Sequence, residues 1–151
     1  MRIAIACDHG GFPIKQDIIQ VVERLGHQVL DLGTWDTTAV DYPDYAEKAG
    51  QAIQRGEADR GIVICGSGVG ACVAANKLRG VYASVCHDTY SAHQGVEHDN
   101  VNLLCLGARI VGNELAKEIV TAFLNASFSQ DVRFLRRFSK VKAIEDRNLG
   151  E

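Results

Sequence analysis

The sequence has no basic tract, no apolar run approaching the ~20 residues that cross a bilayer, and no Cys-x-x-Cys pair. Each absence removes a class of function. Without clustered Lys and Arg, and with a net charge of −3, nothing points to a nucleic-acid partner. Without a long apolar run no membrane partner is expected. Asp8 also arrives too early after Met1 for a signal-peptide apolar region, so a cytoplasmic chain is expected. The five cysteines are odd in number and scattered, which argues against a disulfide scaffold or a structural zinc site. The five histidines lack the spacing of paired metal ligands, so no metal is expected. Repeats, low-complexity segments and linkers are missing too. The 151 residues therefore read as one domain, 1–151, long enough to bury one core.

What is present is an alternation of short β-branched runs with longer helical stretches, the pattern of a parallel α/β sheet. Strands are expected at 2–7, 28–32, 61–65, 81–86 and 102–106. Helices are expected at about 13–25, from Pro43 to about 55, from the glycine turn to about 77, from Asp88, at 113–125 and at 130–147. Pro13 suits a first helical turn and Gly26 a left-handed cap. Five βα units imply a doubly wound, flavodoxin-like (Rossmann-like) sheet of order 2-1-3-4-5 with an extra C-terminal helix. In such sheets ligands bind beyond the carboxyl ends of the strands. Those ends carry Asp8-His9, Tyr42, Cys65, His87-Asp88 and Arg109, whereas His98-Asp99-Asn100 precedes the fifth strand. Those three residues must reach a site from a helix end or from another subunit.

The third strand runs into Cys65-Gly66-Ser67-Gly68-Val69-Gly70. Three glycines between strand and helix let backbone N–H groups converge on negative charge, either a phosphate or a developing oxyanion. Several loops compete for this pattern. The dinucleotide fingerprint G-x-G-x-x-A is met, with Asp88 about 20 residues on, but it follows the third strand and leaves no substrate domain. A P-loop lacks its lysine, and a nucleophile elbow fails because Cys65 stands two residues before Ser67. A phosphatase loop would need arginine at Ala71, and a receiver domain an acid at Cys65. A thiol among aligned N–H groups has its thiolate favoured, while an isolated cysteine is usually a buried filler. Placement alone leaves both readings of Cys65 open. Cys7 and Cys86 end strands without such a turn and read as structural.

Elsewhere, Asp8-His9 suits proton transfer or polar binding beside the switch point, against a plain surface loop. His98 lies in a polar stretch where a solvated turn is the default. His27 and His93 read as surface residues. Arg133 and Arg137 stand at i, i+4 on the last helix, and two guanidinium groups so placed can grip a phosphate. Phe134, Leu135 and Phe138 interleave with them, so that helix must pack on something. Arg109 is a further anion candidate.

With these residues in hand the chain resembles the family of type B ribose-5-phosphate isomerases and galactose-6-phosphate isomerases. The likeness spans nearly the whole length. It rests on Ile5 to Gly11, Asp41-Tyr42-Pro43, Ile64 to Gly70, Ala74 to Lys77, Leu106 to Arg109 and the C-terminal arginines. The resemblance implies an aldose–ketose isomerase without metal or cofactor, a homodimer with shared active sites, sometimes paired into tetramers. It implies Cys65 as the base moving a proton between C1 and C2, with Gly66, Ser67, Gly68, Val69 and Gly70 stabilising the enediolate. His98 would open the sugar ring, Asp8 would order the hydroxyls and Tyr42 would line the pocket. His9, Arg109, Arg133 and Arg137 would hold the phosphate. One branch of the family keeps a glutamate base after the turn; Ala71 here marks the cysteine branch. The order Asp99-Asn100 departs from the frequent Asn-Asp, leaving open which of the two touches substrate. Another aldose phosphate, such as galactose 6-phosphate or allose 6-phosphate, or a nucleotide-binding regulatory module, are the alternatives.

Overall fold

A computed structural model describes residues 1–150. Five strands, β1 (Arg2–Cys7), β2 (Gln28–Asp31), β3 (Arg60–Cys65), β4 (Ala83–Val85) and β5 (Leu103–Gly107), form one parallel sheet. Six helices join and follow them: α1 (Phe12–Arg24), α2 (Tyr42–Gln54), α3 (Val69–Ala75), α4 (Thr89–Asp99), α5 (Asn113–Asn125) and α6 (Val132–Asn148).

Alternation along the buried strands assigns each residue to one of two helix layers. Ile3, Ile5, Cys7, Ile62, Ile64, Leu104 and Leu106 face α1, α4 and α5 in one core cluster. Ala6, Val63, Cys65, Leu103 and Cys105 face α2 and α3 in another. Helices cover both faces, as the continuous apolar runs of β1, β3 and β5 require. The doubly wound class is as expected from sequence.

The strand order is 2-1-3-5-4, so the last two strands exchange places relative to the expected 2-1-3-4-5. Burial explains the exchange. All five residues of Leu103–Gly107 are buried, which an interior strand satisfies. Ala83–Val85 is three residues long and half-buried, which suits an edge. The chain reverses direction across the sheet between β1 and β3, and this switch point places Asp8 beside Cys65. The ladder pairs Cys7 with Ile64, and the Asp8 N–H then donates to the Ile64 carbonyl at 3.2 Å.

Helix α6 docks by its inner edge. Phe134 is buried, and Phe138 meets Tyr82 and Phe128 edge-on with centroids 5.0 and 5.3 Å away. Glu145 accepts from the Tyr82 hydroxyl at 2.8 Å and from the Gly80 N–H at 2.6 Å. Among the described residues no helix is long and apolar enough to cross a membrane.

Candidate active site

Cys65 ends β3 with its side chain on the α2/α3 face, 4% exposed. The chain then turns through Gly68, whose φ of +81° an L side chain rarely adopts. That turn swings the Gly68 N–H back onto Cys65 Sγ at 3.1 Å. A sulfur holding negative charge accepts such a bond more strongly than a neutral thiol does. Ser67 Oγ accepts from the Val69 N–H at 3.2 Å, so its own hydroxyl proton stays available to a ligand. The amides of Gly68 and Val69 are thus engaged within the turn, while Gly66, Ser67 and Gly70 line the pocket beside it.

That pocket holds about 310 Å³ and is walled by Asp8, Tyr42, Cys65, Gly66, Ser67, Gly70, Arg109 and Ile110. Asp8 is buried, and its Oδ1 accepts from the Gly11 N–H at 3.0 Å, which fixes the carboxylate at the end of β1. Tyr42 opens α2 and lays its ring against Gly70, where a Cβ would meet the ring at 2.6 Å. Arg109 is held by its own N–H, 3.0 Å from the Gly66 carbonyl, and its guanidinium lies alongside Gly66. Ile110 had no signal in the sequence beyond following Arg109. A larger groove of about 550 Å³ lies between α1 and α5, but none of the candidate site residues lines it.

The segment leading into Tyr42 is anchored by a residue that sequence reasoning missed. Buried Lys15 donates to Asp31 Oδ1 at 3.1 Å and to the Thr34 carbonyl at 2.7 Å, and lies 4.3 Å over the Trp35 ring. His9 does not wall the pocket. Its Nδ1 accepts from the Val40 N–H at 3.1 Å, tying the same segment to the end of β1.

The remaining candidates gather at the opposite end of the sheet. His98 and Asp99 lie in the last turn of α4, which Asn100 caps at φ 55°, in place of the expected polar loop. Gln94 Nε2 is 3.0 Å from His98 Nδ1 and 3.3 Å from Asp99 Oδ2. An amide nitrogen only donates, so Nδ1 accepts and the neutral ring carries its proton on Nε2. The His98 ring stacks on Phe134 at 4.0 Å, with the guanidinium groups of Arg133 and Arg137 4.7 and 5.7 Å from the same phenyl ring. Arg133 also lies 3.5 Å from Asp131. Cys65 pairs with Gly107 at the far end of β5, whereas His98 precedes that strand, so the two groups stand ~15 Å apart along it. One chain therefore assembles two half-sets: Asp8, Cys65, the turn, Tyr42 and Arg109 at one end, and His98, Asp99, Asn100, Arg133 and Arg137 at the other.

The other cysteines are chemically distinct. Burial pushes the Cys7 thiol up to about 11, and burial likewise raises Cys86. The Cys105 thiol, hydrogen-bonded to Cys72 and buried, lies well above the ordinary range. Cys72 is brought down to about 7, chiefly by that bond from Cys105, but it faces Asn76 and the Ala83 carbonyl at 3.5 Å rather than the pocket. Asp88, the acid a nucleotide reading would need, is engaged in capping α4. It accepts from the Ser91 N–H at 2.6 Å, and this bond holds its carboxyl below the usual range.

Residues 3–141 match the model of the Ribose/Galactose Isomerase family. The chain belongs to that family. It is 44% identical over 146 residues to ribose-5-phosphate isomerase B of Escherichia coli K12, covering 97% of each chain. It superposes on the Clostridium thermocellum ribose-5-phosphate isomerase B with a TM-score of 0.93 and 44% identity, covering 97% of this chain and 99% of that one. A Mycoplasma genitalium ribose-5-phosphate isomerase B solved with bound ribulose 5-phosphate matches with a TM-score of 0.90 and 37% identity, covering 97% of each chain. The fold and the family expected from the motifs are both present.

Proposed function

We propose that the chain interconverts ribose 5-phosphate and ribulose 5-phosphate, with Cys65 as the proton-transferring base. The observation that carries this reading is the Cys65 thiol, held at 3.1 Å by the Gly68 N–H in a pocket that also presents Asp8, Ser67 and Arg109. In the open-chain aldose, Cys65 takes the proton from C2 and the electron pair closes the C1–C2 double bond, leaving charge on O1. The Ser67 hydroxyl and the turn's amides other than those of Gly68 and Val69 stabilise that enediolate as its charge develops. The protonated thiol then returns its proton to C1 while O2 becomes the carbonyl and its proton passes to O1. No cofactor or metal enters the balance. Tyr42 and Asp8 orient the sugar, and Arg109 supplies a positive charge at the pocket wall.

His98 fits ring opening because its Nε2–H is a free donor and Gln94 fixes the tautomer. Since it lies at the far end of its own sheet, it serves a second copy of the chain. A homodimer with two shared sites, or a tetramer of such pairs, unites His98, Arg133 and Arg137 of one copy with Cys65 of the other. Arg133 and Arg137 then hold the phosphate, and Asp99 or Asn100 meets the sugar. Five unpaired thiols accord with a reducing cytoplasm. A panel of five- and six-carbon aldose phosphates assayed for ketose formation in excess chelator tests the reading. Ribose 5-phosphate is expected to give the highest kcat/KM, undiminished by chelator. Preference for a six-carbon phosphate, loss of activity on chelation, or nucleotide binding without ketose formation would overturn it.

A further inference from the structure

The β4–β5 ladder ends two residues before β5 does. β4 pairs with β5 from Ala83–Leu103 as far as Val85–Cys105, and the Cys86 N–H reaches the Cys105 carbonyl at 3.3 Å. On its other side β5 continues to Gly107, paired with Cys65 of β3. The Gly107 N–H has no β4 carbonyl to meet. Instead it donates to His87 Nε2 at 3.1 Å. The imidazole takes the place of the missing strand residue, with its proton on Nδ1.

Gly107 is the shelf of the glycine turn. A Cβ at Gly107 would lie 2.7 Å from the carbonyl carbon and oxygen of Ser67, so the Ser67 peptide rests directly on it. The direction of a Cβ at Gly68 ends 3.2 Å from the Gly107 nitrogen. The next two amides of the chain hold the start of the turn, Ala108 N–H to the Cys65 carbonyl at 2.9 Å and Arg109 N–H to the Gly66 carbonyl at 3.0 Å.

We propose that His87 is a positioning residue for the isomerase reaction, whose Nε2 fixes the Gly107 amide and so the height of Ser67 and Gly68 against Cys65. It does not wall the pocket. The proposal rests on the reading of the turn as the enediolate cup. A shift of the shelf moves the Gly68 N–H relative to Cys65 Sγ and leaves the phosphate-binding groups in place, so the loss falls on kcat rather than KM.

Three substitutions test this, read beside Cys65→Ala. His87→Leu fills the space without an acceptor. His87→Asn stays polar but falls one methylene short of Gly107. His87→Gln can place a carbonyl oxygen close to where Nε2 lies. With ribose 5-phosphate, Leu and Asn are each expected to lower kcat about tenfold with KM within about twofold, equivalent to about 1.4 kcal/mol. The Gln variant is expected to recover kcat to within about threefold of the parent. If the Leu variant fails to fold, the Asn and Gln pair decides. Unchanged kcat in the Asn variant, or a Gln variant as impaired as Asn, overturns the role of His87. Full turnover by Cys65→Ala would instead overturn the underlying reading of the turn, so the two failures are distinguishable.

Discussion

At the scale of single residues, the pocket depends on side chains that are missing as much as on those present. Gly70 sits in α3 with no unusual φ, so any residue could take its backbone conformation; what excludes a side chain is the Tyr42 ring 2.6 Å from the would-be Cβ. Tyr42 is 42% exposed and can swing outward at little cost. Alanine inside a helix is favoured over glycine by about 1 kcal/mol. Gly70→Ala is therefore expected to leave the melting temperature unchanged or raised while KM for ribose 5-phosphate rises several-fold as the Tyr42 wall is displaced. A melt combined with steady-state kinetics checks both halves. Cys65 itself was legible as a candidate from its place at the head of the glycine turn. What the sequence could not supply was the Gly68 N–H returning to sulfur, because that depends on a left-handed turn rather than on residue type. Lys15 and Gln94 were missed for a related reason. Their roles arise from partners such as Thr34 and His98 that the fold brings within reach.

At the scale of elements, β1 and β3 were readable as buried strands because each is, after its first arginine, an unbroken apolar run that leads to a candidate site residue, Asp8 or Cys65. The order of β4 and β5 was not, since it turns on relative burial, and both read as short apolar runs. His98 was expected in a loop because Asp99 and Asn100 are turn formers, yet the helix runs through Asp99 and Asn100 supplies the left-handed cap itself. The helix carrying the arginines is tied to the β4 edge by Tyr82 and Glu145. Burial and the Glu145 carboxylate push the Tyr82 phenol up to about 12 from its ordinary 10. A pKa raised on folding contributes stability that is full below the unfolded value and lost as pH climbs through the folded one. Wild type should therefore lose stability between about pH 10 and 12, and Tyr82→Phe should lose less over that window. At neutral pH the same variant should be less stable by about 1 kcal/mol for the lost hydrogen bond. Urea unfolding at stepped pH measures both. An equal alkaline loss in the two proteins would contradict the assignment.

At the scale of the whole molecule, the groups that the motifs suggested do not meet within one chain. Sequence reasoning could name Cys65 and His98 together, but which end of the sheet each occupies follows from the parallel register of β3 and β5, not from spacing along the chain. If the proposed site is shared, Cys65 of one copy works with His98 of another. Cys65→Ala and His98→Asn, each assayed alone with ribose 5-phosphate, should be strongly impaired. Co-expressed with different tags and purified as the mixed dimer, they place intact Cys65 from one copy opposite intact His98 from the other at one of the two sites. Recovery of about half the wild-type turnover per mixed dimer is the predicted result. A mixed dimer no more active than its parents would rule out a site shared between two copies.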